Sequence, residues 1–150
     1  IHNLKNTEEE ALRALKTKQK INHFPLSYNI GRKDAMWKNY KAIEEKFPVD
    51  FDFCPHTYIF PQDADEFEKD RLSPEAAEKG TLWIFKPSAS SCGKGIRILD
   101  KDAPIPANKK GFIISEYISN PHIIDEKKYD LRIYVLVTSF NPLTIYIYED

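Results

Sequence analysis

Five runs rich in β-branched and aromatic residues crowd the second half of the chain. They are Leu82–Lys86, Gly95–Leu99, Phe112–Ile118, Leu131–Ser139 and Leu143–Tyr148. That composition, cut by turn residues, predicts strands. Asn141-Pro142 is a turn signal between the last two and predicts a hairpin. This half therefore has to make sheet, and the rest of the chain has to cover it.

The first half follows a helical pattern. Residues 7–21, TEEEALRALKTKQKI, predict a helix capped by Thr7, with Glu10 in the capping-box position. Leu12, Leu15 and Gln19 or Ile21 form its thin apolar stripe. Arg13, Lys16, Lys18 and Lys20 form its basic face, which plain solvation also explains. Pro25 and Gly31 predict an irregular stretch before Asp34, the expected N-cap of a second helix, AMWKNYKAIEEKF. Met36, Tyr40, Ile43 and Phe47 fall at helical spacing there, and Pro48 stops it. A short strand at Thr57–Phe60 and a short polar helix in DADEFEKDR follow. Helices first and strands second predict an α+β fold. Residues 1–80 are read as an N-terminal and linker part, and 81–150 as a sheet lobe.

A length of 150 residues suits about one domain with a real core. The aromatic content of 13% excludes a disordered tail. A net charge of -1 gives no global attraction to nucleic acid or membrane, and neither is expected as a partner. Any acidic partner has to meet a local patch. Cys54 and Cys92 fit no zinc or CxxC spacing and are read as reduced thiols of an intracellular protein. No run approaches the roughly 18 apolar residues of a membrane span. The chain opens at Ile1 and closes on LTIYIYED, so it is read as part of something longer. His2, His23, His56 and His122 show no metal-ligand spacing, no nucleophilic triad can be argued, and no metal site is expected.

Three stretches can carry chemistry. In WIFKPSASSCGKGIRI, strand alternation puts Ile84 and Lys86 on one face and Trp83 and Phe85 on the other. An ammonium among such neighbours needs an anion or water. The following loop has small side chains and two glycines, so its backbone can approach a ligand and present N–H groups, with Lys94 adding charge. This resembles a flap over phosphates, unlike the Walker A loop, which is absent. The ordinary alternative is a surface hairpin with a snorkelling lysine. In ISEYISNP, Glu116 and Tyr117 point to opposite faces, and an open strand edge there could offer backbone groups to a planar base; a plain sheet edge is the alternative. In KKYDLRIYVLV, Asp130, Arg132 and Tyr134 share one strand face. Arg132 suits bidentate recognition of phosphate or carboxylate, and Asp130 could orient it or bond a ribose hydroxyl. A structural ion pair is the alternative.

The blocks NHFPLSYNIGRKDAMWKN, CPHTYIFPQD, WIFKPSASSCGKGIRI, SEYISNPHIIDEKKYDLRIYVLV and PLTIYIYED together resemble the tubulin tyrosine ligase-like family, in order and spacing. The likeness covers most of the chain and is nearest the glutamylating branch. It implies an ATP-grasp fold, ATP and magnesium as cofactors, and ligation of free glutamate to glutamates in acidic tubulin tails. It implies that Lys86 contacts phosphates and that Cys92 and Gly93 lie in the flap. Ser115, Glu116, Tyr117 and Ile118 then match an adenine-edge segment. Lys128, Tyr129 and Asp130 match a nucleotide-contacting trio, with Arg132 just beyond as a catalytic candidate beside Lys86. The magnesium ligands are expected beyond position 150. The chain departs from the pattern at Cys92, where close relatives often carry arginine. A glycine or tyrosine donor, or a catalytically inactive microtubule-binding member, are the alternatives. A basic approach surface for tubulin tails would draw on Arg13, Lys16, Lys18, Lys20, Arg32, Lys33 and Lys38. The resemblance further implies a cytoplasmic, cytoskeletal protein of the cilium, basal body or cytosol.

Overall fold

The structure, a computed structural model, describes residues 10, 13–19, 24–106 and 110–149. It divides into two compact units, Ile1–Ile118 and Ser119–Asp150. The fold is α+β with antiparallel sheets, as expected.

The elements of the first unit are α1 (Tyr28–Gly31), α2 (Lys33–Glu44), β1 (Thr57–Phe60), α3 (Ala64–Arg71), α4 (Pro74–Lys79), β2 (Trp83–Pro87), β3 (Arg97–Leu99) and β4 (Phe112–Glu116). Its strands form one antiparallel sheet in the order β1-β4-β2-β3. β4 is hydrogen-bonded on both sides, and Phe112 to Ser115 are all buried. A strand covered on both faces reads as a continuous apolar run rather than an alternation, which is what FIIS provides.

One face of this sheet carries Tyr58, Phe60, Phe112, Ile114, Trp83, Phe85 and Leu99, with Phe67 of α3 set into it. The rings interlock edge-to-face and offset: Phe67 lies 5.2 Å from both Tyr58 and Trp83, and Phe60 stacks on Phe112 at 4.7 Å. Such pairs add roughly 0.5–1.5 kcal/mol each beyond their area. Arg97 lays its guanidinium over the Phe85 ring at 4.8 Å and closes the edge. Tyr58 reaches through this core, and its hydroxyl donates to Asp70 of α3 at 2.6 Å.

The other face carries Thr57, Ile113, Ser115, Ile84 and Lys86, and α2 lies against β4. The apolar stripe expected on α2 is corrected here. Met36, Ile43 and Phe47 are exposed, while the buried residue is Trp37, stacked on Tyr40 at 5.3 Å. The Tyr40 hydroxyl donates to Phe51 O at 2.5 Å and accepts from the amides of Phe53 and Cys54. Asp34 is also not the N-cap: Arg32 holds that position, and Asp34 sits in the first turn.

Elsewhere α3 fills the expected polar helix. α4 was not anticipated; Ser73 caps it by accepting from Ala76 N, Pro74 starts it and left-handed Gly80 ends it. Of the helix expected over 7–21, Thr7, Leu12, Lys20 and Ile21 lie outside the described residues. Glu10 and Arg13 are helical, but Leu15–Gln19 are not.

The second unit holds two hairpins: β5 (Ile123–Ile124) with β6 (Lys127–Lys128), and β7 (Val135–Phe140) with β8 (Leu143–Ile147). The turn Asp125-Glu126 has both residues at positive φ, the geometry of a two-residue hairpin turn, without the usual glycine or asparagine. The β7–β8 hairpin turns at Asn141-Pro142 as expected and carries a bulge between Val137 and Ser139. No helix among the described residues is long and apolar enough to cross a membrane.

Phe67 is fully buried at the centre of the ring cluster. Phe67→Ala should destabilise the chain by about 3–5 kcal/mol. A loss of unfolding free energy under about 1 kcal/mol in urea titrations would show that this cluster is not the core.

Candidate functional site

The site is built around the connection from β2 to β3. Trp83 and Phe85 enter the ring cluster, so Ile84 and Lys86 take the opposite face, half-buried. Lys86 pairs across to Ile113 of β4, and Ile84 to Ser115. Lys86 and Ser115 thus share one sheet face on neighbouring strands. Ser115 is buried and its hydroxyl accepts from Thr57 Oγ1 at 2.9 Å.

Beyond Pro87 the chain leaves the sheet through buried Ser88, runs as a loop exposed over residues 91–96 and returns at Arg97. Cys92, Gly93 and Gly95 all have positive φ, at 56°, 70° and 76°. Cys92 is not a glycine, so its left-handed backbone is strained by about 1–2 kcal/mol. Gly95 is required: a Cβ there would stand 3.0 Å from Pro87 Cγ, in a left-handed conformation. Lys94 N donates to Ser91 O, Ile96 N to Gly93 O, and Ser90 Oγ to Lys94 O. The loop is therefore a compact turn with small, exposed side chains.

Its base is held from α2. Lys33 Nζ donates to Pro87 O at 3.2 Å and to Ser90 O at 2.7 Å. Ser88 is buried, its N–H donating to Gly111 O and its carbonyl accepting from Lys33 N. Next to Lys33, Arg32 grips Asp34 with two bonds, Nε to Oδ1 at 3.1 Å and Nη2 to Oδ2 at 2.7 Å. This fork, first of all, holds the Asp34 carboxyl below the usual range, helped by Ala35 N–H and Ser88 and opposed by burial. The Ser88 hydroxyl is outside hydrogen-bond geometry with any described residue, so its effect on Asp34 is the smallest of these. Arg32 and Lys33, counted in sequence as approach-surface cations, are thus committed to internal contacts. Arg13, Lys16, Lys18 and Lys38 remain exposed, and Lys20 lies outside the described residues.

The open strand edge expected near Glu116 is corrected. β4 is the second strand of four, with Glu116 N donating to His56 O and Tyr117 N to Leu82 O, both at 2.9 Å. Those two N–H groups are spent in the protein. Glu116 is exposed, Tyr117 half-buried and Ile118 exposed.

The remaining candidates belong to the second unit. Lys128 ends β6 opposite Ile123. Tyr129 Oη lies 3.0 Å from His122 Nδ1. Asp130 and Arg132 are exposed, and no ion pair joins them among the described residues. The expected strand face of Asp130, Arg132 and Tyr134 is corrected, because pairing begins only at Val135, with one further bond from Tyr148 N to Tyr134 O.

Sequence reasoning missed the structural part of Lys33. Its signal was a lysine opening a helix, which reads as solvent-facing until the loop is known. Lys33→Met should release both loop carbonyls, a loss of about 1–2 kcal/mol that speeds amide exchange within Ser88–Ile96 roughly 5- to 30-fold. Exchange unchanged there would remove Lys33 from the loop's support. Asp34 has its carboxyl depressed in the folded state, so its contribution is present above the ordinary value near pH 4 and fades as pH falls through the depressed one. Asp34→Asn should therefore cost about 0.5–1.5 kcal/mol at pH 7, with the gap to wild type narrowing as pH falls below the ordinary carboxylate range. A gap independent of pH in urea titrations would contradict the fork.

Residues 10–150 match the model of the tubulin-tyrosine ligase family. The chain is 39% identical over 143 residues to tubulin monoglutamylase TTLL4 of Homo sapiens, covering 93% of this chain and 11% of that protein. It is 39% identical over 140 residues to tubulin polyglutamylase TTLL5 of Homo sapiens, covering 93% and 10%. It is 40% identical over 137 residues to tubulin polyglutamylase ttll-4 of Caenorhabditis elegans, covering 91% and 22%. The chain thus spans about a tenth of the length of the human relatives. With nearly all of its length matched, the chain belongs to the tubulin-tyrosine ligase family.

Proposed function

We propose that this chain is the nucleotide-binding part of an ATP-dependent ligase that joins free glutamate to the γ-carboxyl of glutamates in tubulin tails. The observation that carries the reading is the β2–loop–β3 hairpin: a lysine at the strand's end, then a glycine-bearing loop with three left-handed residues. The named activities of the relatives supply tubulin and glutamate as the expected substrates.

In this reading the sheet of the first unit is one lobe of an ATP-grasp fold, with residues 1–80 its N-terminal and linker part and 81–150 its central lobe. A nucleotide suits the residues available. Lys86 and exposed Lys94 offer cations, and the loop's small side chains leave its backbone accessible. Lys86 would neutralise phosphate charge, and Cys92 and Gly93 would cover it. Ser115, Glu116, Tyr117 and Ile118 would line the base. Since the Glu116 and Tyr117 N–H groups are used in the sheet, that edge would be read through carbonyls, the Ile118 backbone or side chains. Lys128, Tyr129 and Asp130 would contact the nucleotide, and Arg132 would steady developing charge.

ATP with magnesium would supply activation of the acceptor carboxylate as an acyl phosphate, open to attack by the donor amine. No protein nucleophile is needed. The chain's own work is to hold the phosphates, exclude water and fix the reacting groups in line. The tubulin tail would approach over Arg13, Lys16, Lys18 and Lys38, which are exposed. The protein would then act at microtubules in the cytoplasm, cilium or basal body.

A second reading, an inactive microtubule-binding member, is favoured by Cys92, an exposed thiol in the loop where an arginine is expected. One assay separates the two. The full-length protein is incubated with microtubules, Mg-ATP and labelled glutamate, glycine or tyrosine. Label from glutamate alone is the expected result, and Lys86→Ala should lower the rate roughly 100- to 1000-fold without loss of circular dichroism. Wild-type turnover in Lys86→Ala would remove the lysine from the site, and no label from any donor would favour the inactive member.

A further inference from the structure

The corner where the chain enters β1 brings together three metal-ligating side chains. We propose that His56, Glu66 and Asp70 bind a first-row divalent cation of the zinc type, at a site separate from the β2–β3 loop and independent of the reading above. Their ligand atoms all lie within 4.8 Å of one another.

Each partner is positioned by its own element. Glu66 and Asp70 stand one turn apart on α3, so both carboxylates face the same way. His56 immediately precedes β1, and its carbonyl accepts from Glu116 N at 2.9 Å, which fixes the backbone there. Its ring packs edge-to-face against Tyr58 at 4.6 Å and against Trp37 at 6.0 Å, so its orientation is defined although it is exposed. Neither ring nitrogen has a hydrogen-bond partner among the described residues, so one is available to a cation. Asp70 is steered by the Tyr58 hydroxyl, which bonds Oδ2 at 2.6 Å and leaves Oδ1 unoccupied by that bond. A hydrogen bond from the protein to a coordinating carboxylate is the usual support of a metal ligand.

The charges agree. Two carboxylates and an imidazole lie together, and the ion pair made to them among the described residues is a loose one, Lys41 Nζ to Glu66 at 4.0 Å. A divalent ion would replace that loose contact with three short bonds. An imidazole with two carboxylates suits zinc or its first-row neighbours better than magnesium or calcium, which favour oxygen alone. Three protein ligands leave coordination positions to water, so the ion would be exchangeable. It would tie the start of β1 to α3 and close one corner of the ring cluster.

The test is a competition titration of the full chain against a zinc-binding dye. Wild type, His56→Gln, Glu66→Gln and Cys92→Ser are compared, and thermal melting is followed with and without zinc. Wild type should take up one zinc ion and melt higher with it. His56→Gln and Glu66→Gln should each weaken binding at least about tenfold and abolish the melting shift. Cys92→Ser should leave both unchanged. Glu66 is exposed, so its variant remains informative if His56→Gln folds poorly. Absence of saturable binding in wild type would overturn the site, as would binding that persists in Glu66→Gln or disappears in Cys92→Ser.

Discussion

The burial of β4 on both faces is the constraint on which the first unit depends. Phe112 and Ile114 enter the ring cluster while Ile113 and Ser115 support the opposite face. Because β4 pairs with β1 on one side and β2 on the other, it sets which residues of β2 go inward. Trp83 and Phe85 go in, so Lys86 comes out opposite Ile113, on the face that Ser115 shares. A slip of one residue would bury the lysine and expose both aromatic rings. The placement of Lys86 is thus a by-product of packing a hydrophobic core.

The loop after Lys86 combines freedom with restraint. Its tip uses backbone conformations open mainly to glycine, while its base is tied to α2 through Lys33 and to Gly111 through Ser88. Three consecutive residues, Arg32, Lys33 and Asp34, make this base. The lysine holds the loop, and the pair around it neutralises itself in a two-bond fork.

Most of the sheet was legible because its code is local. The alternation in Trp83-Ile84-Phe85-Lys86 and the continuous run Phe112–Ser115 state burial directly, and the turn at Asn141-Pro142 marks its hairpin. What was not legible depends on distant partners. The inward side of α2 is marked by buried Trp37 and by Tyr40, whose hydroxyl meets the distant loop at Phe51, Phe53 and Cys54. Residues 131–133 have strand-like composition but no strand partner among the described residues, and the ladder begins at Val135, so propensity alone misleads. The N–H groups of Glu116 and Tyr117 looked available because the strand order was unknown. His56 shows no metal spacing in sequence because the side chains gathered near it are carboxylates on a helix that follows it, not other histidines. Conversely, the Ser-Pro start and glycine end of α4 were written in the sequence and went unread, since the segment lacks an apolar stripe.

The strand order also has a kinetic side. β2 and β3 are joined by a short loop, whereas β1 and β4 are 58 residues apart at the Thr57–Ser115 contact. Closing the larger loop costs more chain entropy, though the cost grows only logarithmically with length. α3, α4 and the β2–β3 hairpin all lie within that span and can gather beforehand. The insertion of β4 between β1 and β2 is then the step that converts local pieces into one cooperative sheet, and a chain stalled before it would offer two unpaired strand edges to its neighbours.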